Sequence, residues 1–521
     1  MLFNEKGVYF SIGVMKKRLL ILSTVISSLA LSGCSFFNII MDTSSTPATP
    51  WTGEKQKLTY TQEVLTDNHY YAIDTMPTTG NPKLLVLPIA FSDTEEFISD
   101  EERGVISNNL KSVAFGDGED TGWYSIASYY NAESYGACNI EGEVADWYES
   151  GKKYDSVNSS EDTANIIKAA VNDWKAKNPT KIKDFDSDEN GYIDGILAVY
   201  GGPNYKSDDL KGHRKNTNMW AYTSWLETTA NTTNPNPNTF IWASYDFMTP
   251  DLESGLLIDG HTYIHEMGHV FGLDDYYDYA DVDDVWAGGF SMQDYNVGGH
   301  DPYSVISLGW ADPYVPTSST TITIKPFESS GDVILLSPNF SSNSAYDEYI
   351  LLEYYSPTGV NEFDSEYQYN SKYPLGPKVP GIRIWHVDAR LLKINESTRR
   401  GKQVSSYTIV NTIDENDGTY LVGCTNTTYT TNKDTNAYCS VAAELRNFRI
   451  LELIRKGDYT GSNTNEYLSS SNLFKAGDTF SLNQYAGCFP NGTRLDNGSR
   501  CNWNVKIDSI NTTEAKITVT I

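Results

Sequence analysis

Two histidines and a glutamate in the run 265–269 are the residues with the clearest chemistry in this sequence. His265, Glu266 and His269 have the spacing HExxH. Residues four apart lie on one face of an α-helix, so both imidazoles can approach one metal ion. Zinc lowers the pKa of a coordinated water to about 7, and Glu266, beside the first ligand, can accept that water's proton. The spacing predicts a zinc-dependent hydrolytic centre on a helix over residues 259–272, rather than two ordinary exposed histidines.

A third ligand is expected shortly after this helix ends. Gly272 stands where the chain must reverse, and glycine tolerates the left-handed backbone with which many helices end. The reversal can bring Asp275 back to the metal and leave the fourth coordination position for water. Asp274 and Asp278 are the alternative third ligands.

His261 lies one further turn toward the N-terminus and would extend the pair of histidines to a stripe of three. On a continuous helix, His261 and His269 are about 12 Å apart along the axis. Metal–nitrogen distances are about 2.1 Å. One ion cannot be bound by all three rings, so we expect His261 to belong to the first turn of the helix.

A second cation site is predicted in the acidic run 184–194. Its oxygen donors alternate along the chain as in a calcium-binding loop: Asp186, Asp188, Asn190, Tyr192 (through its backbone carbonyl) and Asp194. Gly191 suits the sharp turn of such a loop, but Leu197 stands where the closing glutamate of an EF-hand would be. We therefore expect a Ca²⁺ loop that leads into a strand, with an unoccupied acidic turn as the alternative.

Length and composition bound the class of protein. A chain of 521 residues is too long for one ordinary core, so two folded domains are expected. Hydrophobic residues make up 39% of the chain and aromatic residues 13%, which excludes a mainly disordered protein. The formal net charge of −29 argues against nucleic acid as a partner, because binding to phosphates needs an excess of Lys and Arg.

The N-terminus has the pattern of an export signal. A basic n-region over 15–18 (MKKR) precedes an apolar run over 19–31, which is shorter than the roughly 20 residues that a spanning helix needs. Residues 31–34 (LSGC) are similar to a bacterial lipobox. We expect residues 1–34 to be a signal peptide with lipid attached at Cys34, an extracytoplasmic body anchored to the bacterial cell membrane, and a flexible tether over 35–55. An uncleaved membrane anchor is the alternative.

The remaining chain divides by its pattern near residue 315. Continuous apolar runs at 83–91 and 196–202 predict buried strands, and the spacing over 162–176 predicts a helix. From residue 316 onward, short alternating or β-branched runs predict strands at 320–324, 332–336, 349–354, 381–387 and 515–521. The expected organisation is an α/β (α+β) domain over 56–315 followed by an all-β, sandwich-like domain over 316–521.

Other polar residues carry weaker signals. Two local disulfides, Cys424–Cys439 and Cys488–Cys501, are plausible in an exported protein. Tyr295 and His300 could stabilise the oxyanion of a tetrahedral intermediate, although a structural role is the stronger expectation for both. His386 is expected to pack within a strand.

Several segments together resemble the immune inhibitor A type of bacterial secreted metalloprotease. They are the zinc run 265–275, residues 292–300 and 307–310, the tripeptide 134–136, and the runs 348–353 and 380–388. Residues 290–296 resemble a Met-turn, in which Met292 would pack beneath the metal. Gln293 and Gly299 depart from the acidic residues expected in this family, which affects the surroundings of the metal rather than its ligands.

The resemblance implies a metzincin-like catalytic domain and a zinc endopeptidase that cleaves proteins outside the cell. His265, His269 and Asp275 would then be the zinc ligands and Glu266 the general base, with the proton passing on to the leaving amine. Two rival functions remain. One is a non-catalytic surface lipoprotein that holds zinc for structure, and the other is a zinc hydrolase of a non-peptide substrate.

Overall fold

The computed structural model describes residues 48–59, 74–251, 254–279, 284–338, 340–370, 372–394, 406–414, 419–427, 445 and 447–521. Across these residues the protein has a mixed α/β architecture with several sheets and few helices. In this part of the chain, no helix combines the length and the apolar character needed to cross a membrane. The predicted signal peptide, the lipobox with Cys34 and residues 35–47 of the predicted tether lie outside the described residues.

The helices and strands alternate in the first half of the chain, whereas strands predominate in the second. The helices are α1 (Asp100–Phe115), α2 (Ile126–Glu133), α3 (Ser160–Lys177), α4 (His261–Val270), α5 (Pro302–Ser307), α6 (Phe327–Ser330) and α7 (Glu362–Glu366). The strands of the first half are β1 (Thr49–Pro50), β2 (Lys83–Ala90), β3 (Glu141–Val144), β4 (Tyr148–Glu149), β5 (Gly195–Tyr200), β6 (Tyr222–Trp225) and β7 (Thr239–Ser244). Those of the second half are β8 (Thr320–Ile324), β9 (Val333–Leu336), β10 (Glu348–Tyr355), β11 (Gly381–Asp388), β12 (Leu391–Ile394), β13 (Tyr407–Val410), β14 (Thr419–Val422), β15 (Leu451–Ile454), β16 (Thr479–Phe480), β17 (Asn504–Ile510) and β18 (Ala515–Thr520).

The first half is organised around one largely parallel sheet. β2, β5 and β7 are parallel neighbours, β3 and β4 pair in parallel with β2, and β6 pairs antiparallel with β7 at the other end. The apolar runs that predicted buried strands form β2 and β5, and all six residues of β5 are buried. Strands of this kind are apolar on both sides because helices cover both faces of the sheet.

Alternate residues of β2 face two different cores. Leu85 packs with α3 in one cluster, whereas Leu84 packs with α1 and α4 in the other. Two buried tyrosine hydroxyls fix α4 further, since Tyr263 donates to the Ser244 carbonyl at 2.6 Å and Tyr130 to the Ile264 carbonyl at 2.7 Å. The helix with the HExxH spacing is thereby held against the end of β7.

The second half contains two principal sheets that share one hydrophobic core. One has the order β1-β8-β18-β17-β16 and the other the order β15-β11-β10-β9. Residues from both line the same buried cluster, for example Ile322 and Ile517 from the first and Ile350 and Ile384 from the second. A smaller sheet contains β13-β12-β14. The five strand segments predicted from the alternating runs correspond to β8, β9, β10, β11 and β18.

Contacts join the parts of the chain on either side of residue 315. The Trp310 indole donates to the Thr78 carbonyl at 2.7 Å, and the Tyr135 hydroxyl donates to the Phe327 carbonyl at 2.8 Å. Within the predicted tether, Thr49 and Pro50 pair with β8, so this described part belongs to a sheet. The boundary near residue 315 stays a prediction.

The predicted disulfide Cys488–Cys501 is wrong for this structure, because both residues are free and buried. The Cys488 thiol instead donates to the Asp458 carbonyl at 3.0 Å, which ties the turn at 486–488 to a different loop. Cys138 and Cys424 are also free thiols, and Cys439 lies outside the described residues.

Candidate metal centre

The ends of α4 follow from its sequence. At the N-terminus, the Asp259 carboxylate accepts a hydrogen bond from the His261 backbone N–H at 2.9 Å. At the C-terminus, Gly272 has a φ of +98°, and the Leu273 N–H bonds back to the Gly268 carbonyl at 3.0 Å. This left-handed ending matches the prediction for Gly272 and turns the chain back toward the helix.

The reversal brings Asp275 to the two histidines of α4. The Oδ1 atom of Asp275 lies 3.0 Å from His265 Nε2 and 3.3 Å from His269 Nε2. Tetrahedral ligands at about 2.0–2.1 Å from a zinc ion are separated by roughly 3.4 Å, so these spacings fit one ion. Among the residues that the structure describes, the metal-ligand group around the two histidines contains Asp275 and neither Asp274 nor Asp278.

The hydrogen bonds of the two histidines fix their tautomers, and these tautomers require a proton or a cation between the rings and Asp275. His265 Nδ1 is 2.8 Å from the Met292 carbonyl, and His269 Nδ1 is 2.8 Å from the Leu273 carbonyl. A carbonyl only accepts, so each Nδ1 carries the proton and each neutral ring presents a lone pair at Nε2. These lone pairs face a carboxylate oxygen. Only a proton or a metal cation can hold such an arrangement together, and the ring orientation is the one that metal-ligating histidines have.

The same electrostatics appear in the ionisation of the three groups. Burial lowers the pKa of His269, but the Asp275 carboxylate outweighs this effect and raises it to about 10. The pKa of His265 is raised as well, since its hydrogen bond to Asp275 outweighs burial. Burial opposes ionisation of Asp275, yet the two imidazoles hold the pKa of its carboxyl well below the usual range. The Asp275 carboxylate is therefore ionised, and both rings bind a cation, a proton or a metal, more strongly because of it.

Glu266 is buried next to these ligands and is oriented by the sheet. Its Oε2 atom accepts a hydrogen bond from the Thr223 hydroxyl at 3.0 Å, and the same hydroxyl contacts the Glu266 carbonyl at 2.9 Å. Only 7% of Glu266 is exposed. Burial raises the pKa of its carboxyl, while His269 and His265 lower it. Thr223 belongs to β6, so the end strand of the sheet lies beside the candidate general base.

Three surrounding residues have roles that the sequence did not reveal. The Tyr279 hydroxyl donates to Asp275 Oδ2, and Thr223 holds Glu266. The Gln293 amide donates to the His265 carbonyl at 3.2 Å and lies against Gly268, where an added Cβ would come within 2.2 Å of Gln293 Oε1. Gln293 had been noted in the sequence as a departure from the resemblance, whereas no helix covers 275–279 and no local spacing indicated Tyr279 or Thr223.

Met292 and His261, the other two residues singled out near the motif, contact it in different ways. Met292 is fully buried, and its carbonyl accepts from His265, so the predicted Met-turn contacts a ligand through its backbone. His261 lies in the first turn of α4 with its Nε2 2.8 Å from the Asn296 carbonyl, as expected for a residue outside the metal group. Burial lowers the pKa of His261 to about 3, which keeps the ring neutral.

The two candidate oxyanion residues differ in environment. Tyr295 is half-buried, and its ring lies 5.4 Å from that of Tyr277 and 5.8 Å from that of Tyr373. His300 is 2% exposed, and its ring packs against Tyr129 and Tyr130. Enclosure by these two rings favours the packing role for His300, whereas Tyr295 belongs to an aromatic surface next to the metal group.

The acidic loop brings together three of its predicted donors. Asp186, Asp188 and Asp194 have carboxylate oxygens within 4.8 Å of one another, and Gly191 has a φ of +92°. The Asn190 Oδ1 accepts from the Tyr192 N–H at 2.9 Å in an Asx turn, and the Asn190 amide donates to Asp188 Oδ2 at 2.9 Å. Asn190 and the Tyr192 carbonyl stay predictions as ligands.

A fourth carboxylate, which the sequence did not predict, lies beside this loop. Asp74 accepts a hydrogen bond from the Asn190 amide at 2.7 Å. Burial and the charges of Asp188, Asp194 and Asp186 raise the pKa of Asp74 to about 8. Asp74 is far from the loop in sequence, so no local spacing could have indicated it.

No protein-family model matches this chain, and no curated protein matches it at a significant level. The function is therefore inferred from the residues of the metal centre and from the sheet that carries them.

Proposed function

We propose that this protein is an exported, membrane-anchored zinc endopeptidase of the immune inhibitor A type that hydrolyses protein substrates. The observation that carries the proposal is the convergence of two imidazole lone pairs on the buried Oδ1 of Asp275, with Glu266 on the same helix. Three protein ligands leave one coordination position for water or substrate. The buried carboxylate of Glu266 beside that position can act on such a water, which disfavours the non-catalytic alternative.

Each nearby residue has a definable task in peptide hydrolysis. A bound Zn²⁺ would supply Lewis-acid polarisation of the scissile carbonyl and a more acidic water. Glu266 accepts the proton of the attacking water and then delivers it to the leaving amine. Thr223 holds the Glu266 carboxylate, and the carbonyls of Met292 and Leu273 keep both ligand rings in the tautomer that leaves Nε2 unprotonated.

The strand beside Glu266 favours a peptide over a non-peptide substrate. β6 is the last strand in the order β3-β2-β5-β7-β6, and its four residues are half-buried. An extended peptide can add to such an edge through main-chain hydrogen bonds. A peptide bound along β6 would pass Thr223, whose hydroxyl contacts Glu266, so the scissile bond would lie close to the general base.

The finer fold assignment belongs to the same proposal. We infer a metzincin-like catalytic domain over residues 56–315 and a sandwich-like β domain over 316–521. The turn after α4 with Asp275 and the contact of Met292 with His265 support the first. The core shared by the two principal sheets of the second half supports the second.

A casein or gelatin assay with zinc-loaded full-length protein tests the proposed function. Glu266→Gln keeps size and zinc ligands, and we expect activity to fall by about 10²–10⁴-fold with zinc content unchanged, because the general base is lost. Glu227→Gln is the matched control, since Glu227 is an exposed glutamate just after β6, and it should behave like wild type.

Three outcomes separate the candidates. Proteolysis that survives Glu266→Gln would sink the mechanism. Zinc-loaded wild type without activity on varied protein substrates would contradict the endopeptidase. Hydrolysis of an ester or glycoside panel in its place would support the non-peptide hydrolase.

We also propose that the acidic loop binds Ca²⁺ for stability. The buried Oδ1 of Asp186 has no hydrogen-bond partner among the described residues, which a cation held with Asp188 and Asp194 would satisfy. Ca²⁺ at about 100 times its Kd adds about 2.7 kcal/mol to the free energy of unfolding. We expect added Ca²⁺ to raise the Tm of zinc-loaded, calcium-free protein, and Asp186→Asn to remove this response. Asp184→Asn, an exposed neighbour, should retain it. A wild-type Tm that does not change with Ca²⁺ would rule out the calcium site.

The location of the protein is proposed from its N-terminus alone. A signal peptide and a lipid at Cys34 would place the enzyme on the outer side of the bacterial membrane. Cys34→Ser should move the protein from the membrane fraction to the soluble exported fraction, whereas an uncleaved anchor would keep it membrane-bound.

A further inference from the structure

A second group of possible metal ligands lies in the β-rich half of the protein. It combines Glu348, the first residue of β10, with His386 of β11 and Asp496 in the loop before β17. One ligand atom from each lies within 4.8 Å of the other two. All three residues are buried, and the side chains of Glu348 and His386 are 0% and 1% exposed.

The strand register places the first two ligands on one face of the sheet. Glu348 pairs with Asp388 and Ile350 pairs with His386, so Glu348 and His386 are diagonal neighbours. His386 Nε2 lies 3.0 Å from Glu348 Oε1. On the other side of β11, His386 is opposite Glu452 of β15, which is also buried.

The loop that carries Asp496 is attached to the same glutamate. The backbone N–H groups of Asp496 and Asn497 both donate to the Glu348 carboxylate, the second at 2.7 Å. The Oδ1 atom of Asp496 is buried and has no hydrogen-bond partner among the described residues. A buried carboxylate oxygen without a partner is costly, and a bound cation would offset that cost.

The positive groups nearby are already engaged. Arg390 Nε lies 3.9 Å from Glu348 Oε2, but its guanidinium makes hydrogen bonds of 2.7 and 2.6 Å with Asp388. The imidazole of His386 can provide at most one charge for the two carboxyl groups of Glu348 and Asp496, so a bound divalent cation would allow both groups to be ionised together.

We propose that Glu348, His386 and Asp496 bind a structural divalent transition-metal ion. One imidazole with two carboxylates suits Zn²⁺ or Mn²⁺, whereas Ca²⁺ and Mg²⁺ prefer oxygen ligands alone. This site is independent of the catalytic function proposed for α4.

The position of the site indicates what the ion would do. Glu348 and His386 belong to the sheet β15-β11-β10-β9, and the Asp496 loop leads into β17 of the other principal sheet. An ion held by all three would join the two sheets at the margin of their common core. Loss of the ion should loosen the segment that leads to β17 before the sheet itself.

Metal stoichiometry of the full chain tests this proposal. The ligands of the first centre are removed by His265→Ala with His269→Ala, and the metal-free protein is then dialysed against Zn²⁺ in the presence of Ca²⁺. We expect one tightly bound Zn²⁺ per chain. Adding Asp496→Asn should reduce the content to near zero, because the amide removes the ligand charge but keeps the backbone bond to Glu348. Asp508→Asn, the same change on β17, should retain the ion.

Wild-type protein gives a second reading of the same site. Wild type should bind two Zn²⁺ per chain, and Asp496→Asn one, so the result stands even if the double variant folds poorly. Hydrogen exchange should show faster exchange in residues 489–503 when the ion is absent. A single Zn²⁺ in folded wild type that His265→Ala with His269→Ala removes, or an unchanged content in Asp496→Asn, would overturn the proposal.

Discussion

Two of the three groups of potential metal ligands in the described residues, the two that contain histidine, are built in opposite ways. His265, His269 and Asp275 come from one helix and the turn that follows it, and a half-exposed surface of aromatic residues lies beside them. Glu348, His386 and Asp496 come from two strands and a loop far apart in sequence, and all three are buried. In the proposed enzyme the first group would leave a coordination position for water near Glu266, whereas the second group lies inside a core.

The difference suggests separate purposes for the two groups. All three histidines face a carboxylate through Nε2. Each histidine on α4 is also fixed by a backbone carbonyl at Nδ1, whereas His386 lies among strands that hold it from both sides. A substrate could approach the first group along the edge strand, whereas an ion in the buried second group would join parts of the protein.

The largest expected effect comes from the carboxylate ligand of the first group. Asp275→Asn removes the anion that both histidines face, so zinc affinity should fall by more than the roughly 10–100-fold typical of outer partners, and proteolysis should fall with it. Competition with a zinc-sensitive dye measures the affinity. Asp274→Asn and Asp278→Asn are matched controls and should stay near wild type, as should the proteolytic activity of Asp496→Asn. An equal loss of zinc affinity in Asp274→Asn would indicate that Asp274, not Asp275, is the third ligand.

A smaller effect is expected from the partner of that ligand. Tyr279→Phe removes the hydroxyl that donates to Asp275 Oδ2, and outer-shell changes of this kind cost roughly 10–100-fold in metal affinity or activity. Tyr276→Phe is the control, because its hydroxyl bonds Ser304 and does not touch a ligand. If both variants bind zinc like wild type, Tyr279 does not position Asp275.

The smallest expected effect is the release of a proton when zinc binds at the first centre, because the metal takes the place of the proton between His269 and Asp275. In metal-free protein the Asp275 carboxylate outweighs burial and raises the pKa of His269 to about 10, so the ring holds a proton at neutral pH. Zinc needs the free Nε2, and its binding should release about one proton per ion at pH 7. Calorimetry in buffers of different ionisation enthalpy measures this number, and a value of zero would contradict the raised pKa.

The sign of the linked stability change follows from the same pKa. A histidine whose pKa rises on folding stabilises the metal-free protein fully below about pH 6.5, and this contribution is lost as the pH rises through about 10. Metal-free wild type should therefore lose stability between these values. Zinc-loaded protein should lose less, because the metal replaces the proton between His269 and Asp275.

The sequence by itself determined the parts of this protein that depend on neighbours along the chain. The spacing of His265 and His269 and the left-handed turn at Gly272 follow from helix geometry and glycine conformation, and the structure has both. The sequence preferred Asp275 as the returning carboxylate but left Asp274 and Asp278 open, and the structure brings Asp275 to the histidines. Continuous apolar runs likewise identified β2 and β5, and short alternating or β-branched runs identified the principal strands of the second half, because burial leaves a local pattern in the sequence.

Only the tertiary structure decided which distant residues meet. Thr223 reaches Glu266 because β6 lies at the end of the sheet, and Asp74 joins the acidic loop from a separate segment. His386 was expected only to pack within a strand, but the strand register places it beside Glu348, and a loop brings Asp496 to both residues. Pairings of this kind are set by long-range packing and loop closure, which leave no fixed spacing in the sequence.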